Sequence, residues 1–189
     1  LATDVDVVLM RQDPPFDMAY ITATHLLEQL AGQVAVWNNP ASVRNCPEKL
    51  SILGFAQFMP PTLISRNPAA IAAFAAQHEA IVAKPLYGYG GRSVFKLSRG
   101  DSNLETLLEH WCESSREPLM WQQFRPEVSS ADKRVLFING SVEAVFGRTP
   151  EGSSIRANMR VGGTPVMAEL SAHQQKICDA LSPFLKSHG

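Results

Sequence analysis

The 189-residue sequence has little of what marks a metal site, a disulfide scaffold, a membrane span or a nucleic-acid surface. Its three cysteines, Cys46, Cys112 and Cys178, are widely spaced and form no C-x-x-C pair. That pattern argues against zinc held by cysteine and against a disulfide framework, and it fits a reducing compartment. Each cysteine is expected as a small buried or half-buried side chain. None of the five histidines stands in an H-E-x-x-H spacing, and no G-x-S-x-G elbow occurs. Asp4, Asp6, Asp13 and Asp17 lack the order of a calcium loop, and Pro14-Pro15 stiffens the turn between them. An excess of one charge is missing too: 17 Lys and Arg face 18 Asp and Glu, a net charge of −1. A broad polyanion-binding surface is therefore not expected, and the aromatics are not interleaved with basic residues. The longest apolar run, Ala69–Ala76, falls far short of the ~18 residues of a membrane span. The start, LATDVDVVLM, lacks the basic opening of a signal peptide.

What is present is a chain of ordinary globular composition, 45% hydrophobic, long enough to bury roughly 70% of its unfolded surface. No repeat or low-complexity block appears. Val5–Met10 reads as a buried strand, and Asp17 as the cap of a helix over Met18–Leu30 that Gly32 ends. Val34–Trp37 reads as a short strand followed by an Asn38-Asn39-Pro40 turn, and Asn45–Gln57 as a helix with Pro47 in its first turn. Further strands are expected at Thr62–Ser65, Ala80–Leu86, Ser93–Leu97 and Leu119–Phe124, with helices from Asn67-Pro68 to about His78 and over Asp101–Glu113. Asn139-Gly140 predicts a type I′ hairpin between Lys133–Ile138 and Ser141–Gly147. Thr149–Thr164 reads as a long polar loop, and Ser171–Lys186 as a last helix in which Pro183 marks a kink or an early end. The order is mixed: α/β at the start, then α+β with antiparallel pairs.

Three segments carry candidate chemistry. In IVAKPLYGYGGRS (Ile81–Ser93) a strand ends in Lys84, and three glycines in four positions (Gly88, Gly90, Gly91) lead into the next strand. Glycines let backbone N–H groups turn toward an anion without Cβ obstruction, and the lysine adds a positive charge. This is not the G-x-x-x-x-G-K-[ST] loop, and no helix follows. A flap between antiparallel strands that closes over phosphates is one reading; an ordinary glycine-rich hairpin is the other. Dispersed cations form the second signal: Lys49 before the flap, Arg134 and Arg148 at the ends of the hairpin, Arg156 and Arg160 in the polar loop. Arginine beside a strand suits bidentate binding of carboxylate or phosphate, although any one of them taken alone reads first as a solvated charge. Arg134 stands out because Val135, Leu136 and Phe137 beside it are expected to be buried or half-buried. Third, the apolar strand at Leu119-Met120-Trp121 runs into Gln122-Gln123-Phe124-Arg125 and stops at Pro126, which reads as a hinge for a purine edge or simply as a strand end.

Taken together these residues resemble the ATP-grasp superfamily, and within it the bacterial glutathione synthetases. Met10–Asp17 is similar to the family's MRxDPPFD segment, and Asn38–Leu50 to its N-x-P-x-S-[LV]-R-…-E-K-L stretch. Lys84–Gly91 resembles the KPLxGxGG flap, Asp132–Leu136 the DKRVL strand, and Ile155–Gly163 the R-x-N-…-GG loop. The five matches are collinear. The implied fold is a partial ATP-grasp fold of mixed sheets with helices, preceded by the end of a Rossmann-like domain. The implied divisions are residues 1–46 (end of the preceding domain), 47–118 (flap subdomain) and 119–189 (part of the catalytic subdomain). The implied reaction is ATP-dependent ligation of γ-glutamylcysteine to glycine through an acyl phosphate, with ATP and magnesium. Partners are small molecules, with no nucleic acid or membrane; a homo-oligomer is left open, and the compartment is the cytoplasm.

Carried over by position, Lys49 and Lys84 contact the ATP phosphates, with adenine a second candidate contact for Lys84. Gly88, Gly90 and Gly91 form the flap, and Gln123, Phe124 and Arg125 the adenine hinge. Arg134 and Arg156 hold the acyl-phosphate end, while Asp13 and Asn158 contact substrate. The loop around Arg156–Gly163 is the lid that excludes water. Tyr87, Tyr89 and Arg92 depart from the family's flap, so another ATP-grasp peptide or glutamate ligase, or a nucleotide-binding piece without turnover, stands as the alternative. The family's magnesium ligands, an Asp and a Glu-x-Asn, follow the last helix seen here and are expected beyond Gly189, and the family's first strands precede Met10. The resemblance thus implies a fragment that is inactive alone and lacks its metal ligands.

Overall fold

A computed structural model describes residues 4–129, 132–148 and 165–188. It divides into two compact units, residues 48–126 and residues 1–47 with 127–189.

In the second of these units, β1 (Val7–Leu9) and β2 (Ala35–Trp37) pair in parallel, joined through α1 (Met18–Glu28). The cap expected at Asp17 is present: its carboxylate accepts the Tyr20 N–H at 3.0 Å, which satisfies one of the first-turn donors. Beyond α1 the chain turns through Gly32 at φ +81°, a conformation that glycine adopts without strain. Asn39 and Pro40, expected as a turn, instead start a short helix, α2 (Pro40–Asn45), with Asn39 Oδ1 accepting the Ser42 N–H at 3.1 Å. The two signals are the same residues; proline at the first helical position after an asparagine cap opens a helix as readily as a turn.

The helix expected over Asn45–Gln57 is broken up. Only α3 (Glu48–Ser51) is α-helical, and Ile52–Phe58 continues as 3-10 turns with a non-helical Phe55 at φ −120°, ψ 34°. Pro47 has no N–H to join α2 to α3, and Gly54 lowers the local preference for helix.

The unit 48–126 is built on an antiparallel sheet in the order β3-β6-β4-β5, where β3 is Thr62–Ser65, β4 Ala80–Pro85, β5 Phe95–Ser98 and β6 Leu119–Gln123. The central strand β6 pairs with Thr62–Ser65 on one side and Ile81–Pro85 on the other. Its backbone therefore belongs with the flap strands, whereas the sequence division at 118/119 separates it from them. Two helices cover the sheet: α4 (Pro68–Ala76), capped by Asn67, and α5 (Asn103–Ser114). They turn Ile71, Phe74 and Ala75, and Leu104, Leu107, Leu108 and Trp111, toward Leu63, Ile81, Ala83, Leu97, Leu119 and Trp121. The helical positions recur at three and four residues and the strand positions are all odd-numbered, the periods expected of helix and strand. Trp121 is fully buried, with its indole N–H donated to the Ser65 carbonyl at 3.2 Å. Alternation leaves the even-numbered residues, among them Thr62, Val82, Lys84, Lys96, Met120 and Gln122, on the opposite face.

The hairpin is present as β7 (Asp132–Ile138) and β8 (Ser141–Arg148), with Asn139 and Gly140 at φ +50° and +73° as a type I′ turn requires. β9 (Pro165–Met167) adds to β8, so the sheet order is β7-β8-β9. α6 (Ala172–His188) starts with a reciprocal cap: Ser171 Oγ accepts the Gln174 N–H and Gln174 Oε1 accepts the Ser171 N–H. It continues through Pro183, which sits at an exposed position, rather than ending there. No helix among the described residues is long and apolar enough to cross a membrane.

Candidate nucleotide site

The even-numbered face of the four-stranded sheet gathers the cations. Lys84, near the end of β4, lies in register with Met120, and Val82 lies opposite Gln122. Lys84 Nζ donates to Gln122 Oε1 at 2.6 Å, Gln122 Nε2 donates to Thr62 Oγ1 at 2.9 Å, and the Thr62 hydroxyl donates to the Pro60 carbonyl at 2.7 Å. Burial is the main cause that holds the Lys84 ammonium below the usual lysine value; the nearby charge of Lys49 adds to it, and Glu48 opposes it. A cation with its hydration partly removed and a like charge beside it is a group that an anion would stabilise.

Lys49 reaches the same place from α3. Its Nζ donates to the Gly88 carbonyl at 2.7 Å and the Leu86 carbonyl at 3.3 Å, which fastens the side chain to the flap. The flap joins β4 and β5, antiparallel strands in which Ala83 pairs with Phe95. Gly88 closes a turn onto the Pro85 carbonyl, and a Cβ there would stand 3.0 Å from Pro85 Cβ. Gly90 and Gly91 have φ of +62° and +74°. The glycines therefore serve both close approach and left-handed backbone, the two needs that only glycine meets cheaply. Arg92 lies 5.6 Å from the centroid of the Tyr89 ring, within cation–π range.

At the end of β6, the Gln123 and Phe124 N–H groups are already donated, to Pro61 O at 3.0 Å and Ala80 O at 2.9 Å. A hinge built here must read its ligand through carbonyls, the Arg125 backbone or side chains. Lys96 Nζ stands 4.0 Å from the centroid of the Phe124 ring. Lys96 and Thr62 are not singled out by the sequence, and Gln122 enters there only as part of the strand end Gln122–Arg125. Gln122 carries a faint signal, a polar residue following three apolar ones in a strand, and it is 7% exposed. Lys96 and Thr62 carry none, because cross-strand neighbours are set by register and not by local sequence.

The other expected site residues lie in the second unit. Arg134 is exposed on β7, opposite Phe146. Its neighbours Val135 and Phe137 are half-buried as expected, but Leu136 is 41% exposed, since alternation puts it on the outward face. Asp13 is exposed in the segment that leaves the C-terminal end of β1. Asn38, which begins the segment leaving β2, ties the two strand ends together by donating to the Met10 carbonyl at 3.2 Å. Arg156 and Asn158, and the loop expected around them, lie outside the described residues. So does Gly189, the position beyond which the magnesium ligands are expected. Among the described residues, no three of His, Cys, Asp and Glu converge where they could hold a metal ion.

Comparison with known proteins identifies the family of the chain. Residues 48–189 match the family model described as prokaryotic glutathione synthetase, ATP-grasp domain, and residues 1–44 match that of the N-terminal domain. The glutathione synthetase of Rhodopseudomonas palustris is 48% identical over 184 residues, covering 97% of this chain and 59% of that protein. That of Pseudomonas aeruginosa is 40% identical, over 98% of this chain and 59% of its own length. The chain thus spans about three-fifths of the length of these relatives. Among solved structures, D-cycloserine synthetase DcsG superposes with a TM-score of 0.71 at 16% identity, covering 98% of this chain and 66% of that one. D-alanyl-alanine synthetase A from Vibrio cholerae gives 0.65 at 16% identity, covering 96% and 60%. The fold is that of the ATP-grasp ligases, and the chain belongs to the prokaryotic glutathione synthetase family.

Proposed function

We propose that this chain supplies the nucleotide-binding part of an ATP-dependent ligase that joins γ-glutamylcysteine to glycine. In that reaction the terminal phosphoryl group of ATP passes to the peptide carboxylate, giving ADP and an acyl phosphate. The glycine amine then attacks the acyl carbon and displaces phosphate. The observation that carries the reading is the pair of lysines at the glycine flap: Lys84 partly desolvated on the sheet face, Lys49 fastened to the carbonyls of Leu86 and Gly88. Family membership supports it.

In this reading Lys49 and Lys84 hold the phosphates, with adenine a second contact for Lys84, and the backbone at Gly88, Gly90 and Gly91 closes over them. Fixed cations placed where charge develops are the main means of catalysing phosphoryl transfer. Gln123, Phe124 and Arg125 border the base, and Lys96 holds the Phe124 ring in place. Arg134 and Arg156 hold the carboxylate that becomes the acyl phosphate, and Asp13 and Asn158 contact the peptide. For Asp13 the support is its place after the C-terminal end of a parallel strand, where α/β sheets bind ligands. Magnesium would offset phosphate charge, but the described residues present no donor set for it, so no step here is assigned to the metal. Metal ligands supplied beyond Gly189 belong to the same reading, as do small-molecule partners, a cytoplasmic setting and a subdomain division at 46/47.

Calorimetry with ATP tests the site. Lys84→Ala is expected to weaken binding at least tenfold, the size of one lost hydrogen bond between charged groups; unchanged affinity removes the assignment. For the reaction, ADP release by the ligase that contains this part should require γ-glutamylcysteine together with glycine and should not respond to glutamate in place of glycine.

A further inference from the structure

The chain of hydrogen bonds from Lys84 to Pro60 has a direction that chemistry alone imposes. The Pro60 carbonyl can only accept, so the Thr62 hydroxyl donates its one proton there, at 2.7 Å. Its lone pairs are then what Gln122 meets, and Gln122 must present its NH2 to them, at 2.9 Å. The amide oxygen is thereby turned toward Lys84, whose ammonium has only protons to offer, at 2.6 Å. A flipped Gln122 would set an NH2 group against an ammonium and a carbonyl against an oxygen that has no proton left to give. Both ends therefore fix the same amide orientation, which removes the ambiguity that usually attends a glutamine. All three side chains sit on the even-numbered face of the sheet, away from the apolar core, on three adjacent strands whose register puts Thr62 beside Gln122. Gln122 is buried, so its polar ends have no water to fall back on.

We infer that Gln122 is a positioning residue for Lys84: clamped by Thr62, its neutral amide oxygen aims the ammonium and adds no negative charge of its own against an anionic ligand. A carboxylate in the same place would aim the lysine equally well but would cancel the charge that attracts phosphate. A hydrophobic residue would leave the charge intact but free to swing toward solvent. The neutral acceptor does the one without the other. Among the described residues Gln122 takes one of the three ammonium protons, which leaves two for a ligand. The functional half of this inference rests on the nucleotide reading above.

The test follows the Lys84 side chain by NMR titration in the 189-residue chain without nucleotide. Gln122→Met and Thr62→Val should each lower the Lys84 midpoint by about one pH unit, the equivalent of losing one hydrogen bond to a charged group. Thr62→Ser, which keeps the hydroxyl, should restore the wild-type midpoint. The charges that face Lys84 from α3, Lys49 and Glu48, are unchanged in all three variants. An unmoved midpoint in Gln122→Met and Thr62→Val, or an equal fall in Thr62→Ser, overturns the relay. Calorimetry with ATP then tests its purpose. Gln122→Glu retains an acceptor yet should bind ATP at least fivefold more weakly; undiminished affinity overturns the role of the neutral amide. If Lys84→Ala leaves ATP affinity untouched, the nucleotide reading fails separately, because the titration is measured with no nucleotide present.

Discussion

The two units solve the problem of holding a small sheet in different ways. In residues 48–126, four strands are covered by α4 and α5, and the contact buries Ile71, Ile81, Leu97, Leu108, Leu119 and Trp121 in one cluster. In the other unit, the described strands leave large apolar side chains in the open: Leu9 and Trp37 are each 62% exposed, Ile138 59%, Met167 77%. Polar and steric contacts help to order that unit locally. Arg44 on α2 donates to Glu28 and Thr24 on α1. Lys133 on β7 donates to the Glu169 carbonyl and Gln174 Oε1 at the start of α6. Gly140 lets the hairpin turn lie directly on Lys186 and Ser182 of α6. The contrast teaches where the site acquires its precision. The even-numbered face that carries Lys84 and Gln122 is the back of a sheet whose front is dry and close-packed, so its register cannot slip without exposing Trp121.

The largest expected effect breaks that front face. Trp121→Ala removes a fully buried indole and leaves the Ser65 carbonyl without its partner, so urea unfolding should show a loss of about 3–5 kcal/mol. Its counterpart in the other unit, Met167→Ala, should change stability by less than about 0.5 kcal/mol, because that side chain is already in water. Equal effects from the two would dissolve the comparison. Next in size is Gly140→Ala. The new Cβ would stand 2.6 Å from Lys186 Cγ and 2.9 Å from the Ser182 carbonyl, at a φ of +73°. The lysine can move but the helix backbone cannot, so a loss of about 1–3 kcal/mol is expected in the same assay. Gly100→Ala, also at positive φ but in open space, should cost less and isolates the steric part.

The smallest effect sharpens the polar side of the comparison. The hydrogen bond from Arg44 is the main cause that holds the Glu28 carboxyl below the ordinary carboxylate range, with burial opposing it and the charges of Arg44 and His25 adding to it. A carboxylate whose folded value is depressed stabilises the fold above its unfolded value and loses that contribution as pH falls through the folded one. Stability of the wild type should therefore decline on acidification below the ordinary carboxylate range, and Arg44→Met should remove this part of the decline. An identical acid profile in the variant would show that the α1–α2 contact does not depend on this ion pair.

Much of the fold was legible because strands and helices differ in period. Thr62–Ser65 was read with its observed bounds, and the Asn139-Gly140 turn was read with its type, since few residue pairs accept positive φ twice in succession. The region from Asn38 to Phe58 was misread for an equally physical reason. Proline and asparagine are signals for turns and for helix starts alike, and whether a helix continues past them depends on tertiary contacts that a short window does not contain. At the candidate site, Lys49, Lys84 and the three glycines could be picked out because they are consecutive or chemically conspicuous. Gln122 and Thr62 are partners on paired strands, and Lys96 on β5 meets Phe124, which follows β6, with β4 between them; the pairs are 60 and 28 residues apart in sequence.

The sequence by itself determined the local chemistry: a lysine ahead of a glycine flap, a capped helix after β1, a hairpin with its turn, and a charge balance with no broad excess of either sign. The tertiary structure alone decided which side chain holds which. The central place of β6 and the turning of Lys84 and Gln122 to the same face follow from strand register, and the fastening of Lys49 to the Leu86 and Gly88 carbonyls from where α3 meets the flap. Register is settled by burying the odd-numbered face as a whole, a property of the assembled sheet that no single segment contains.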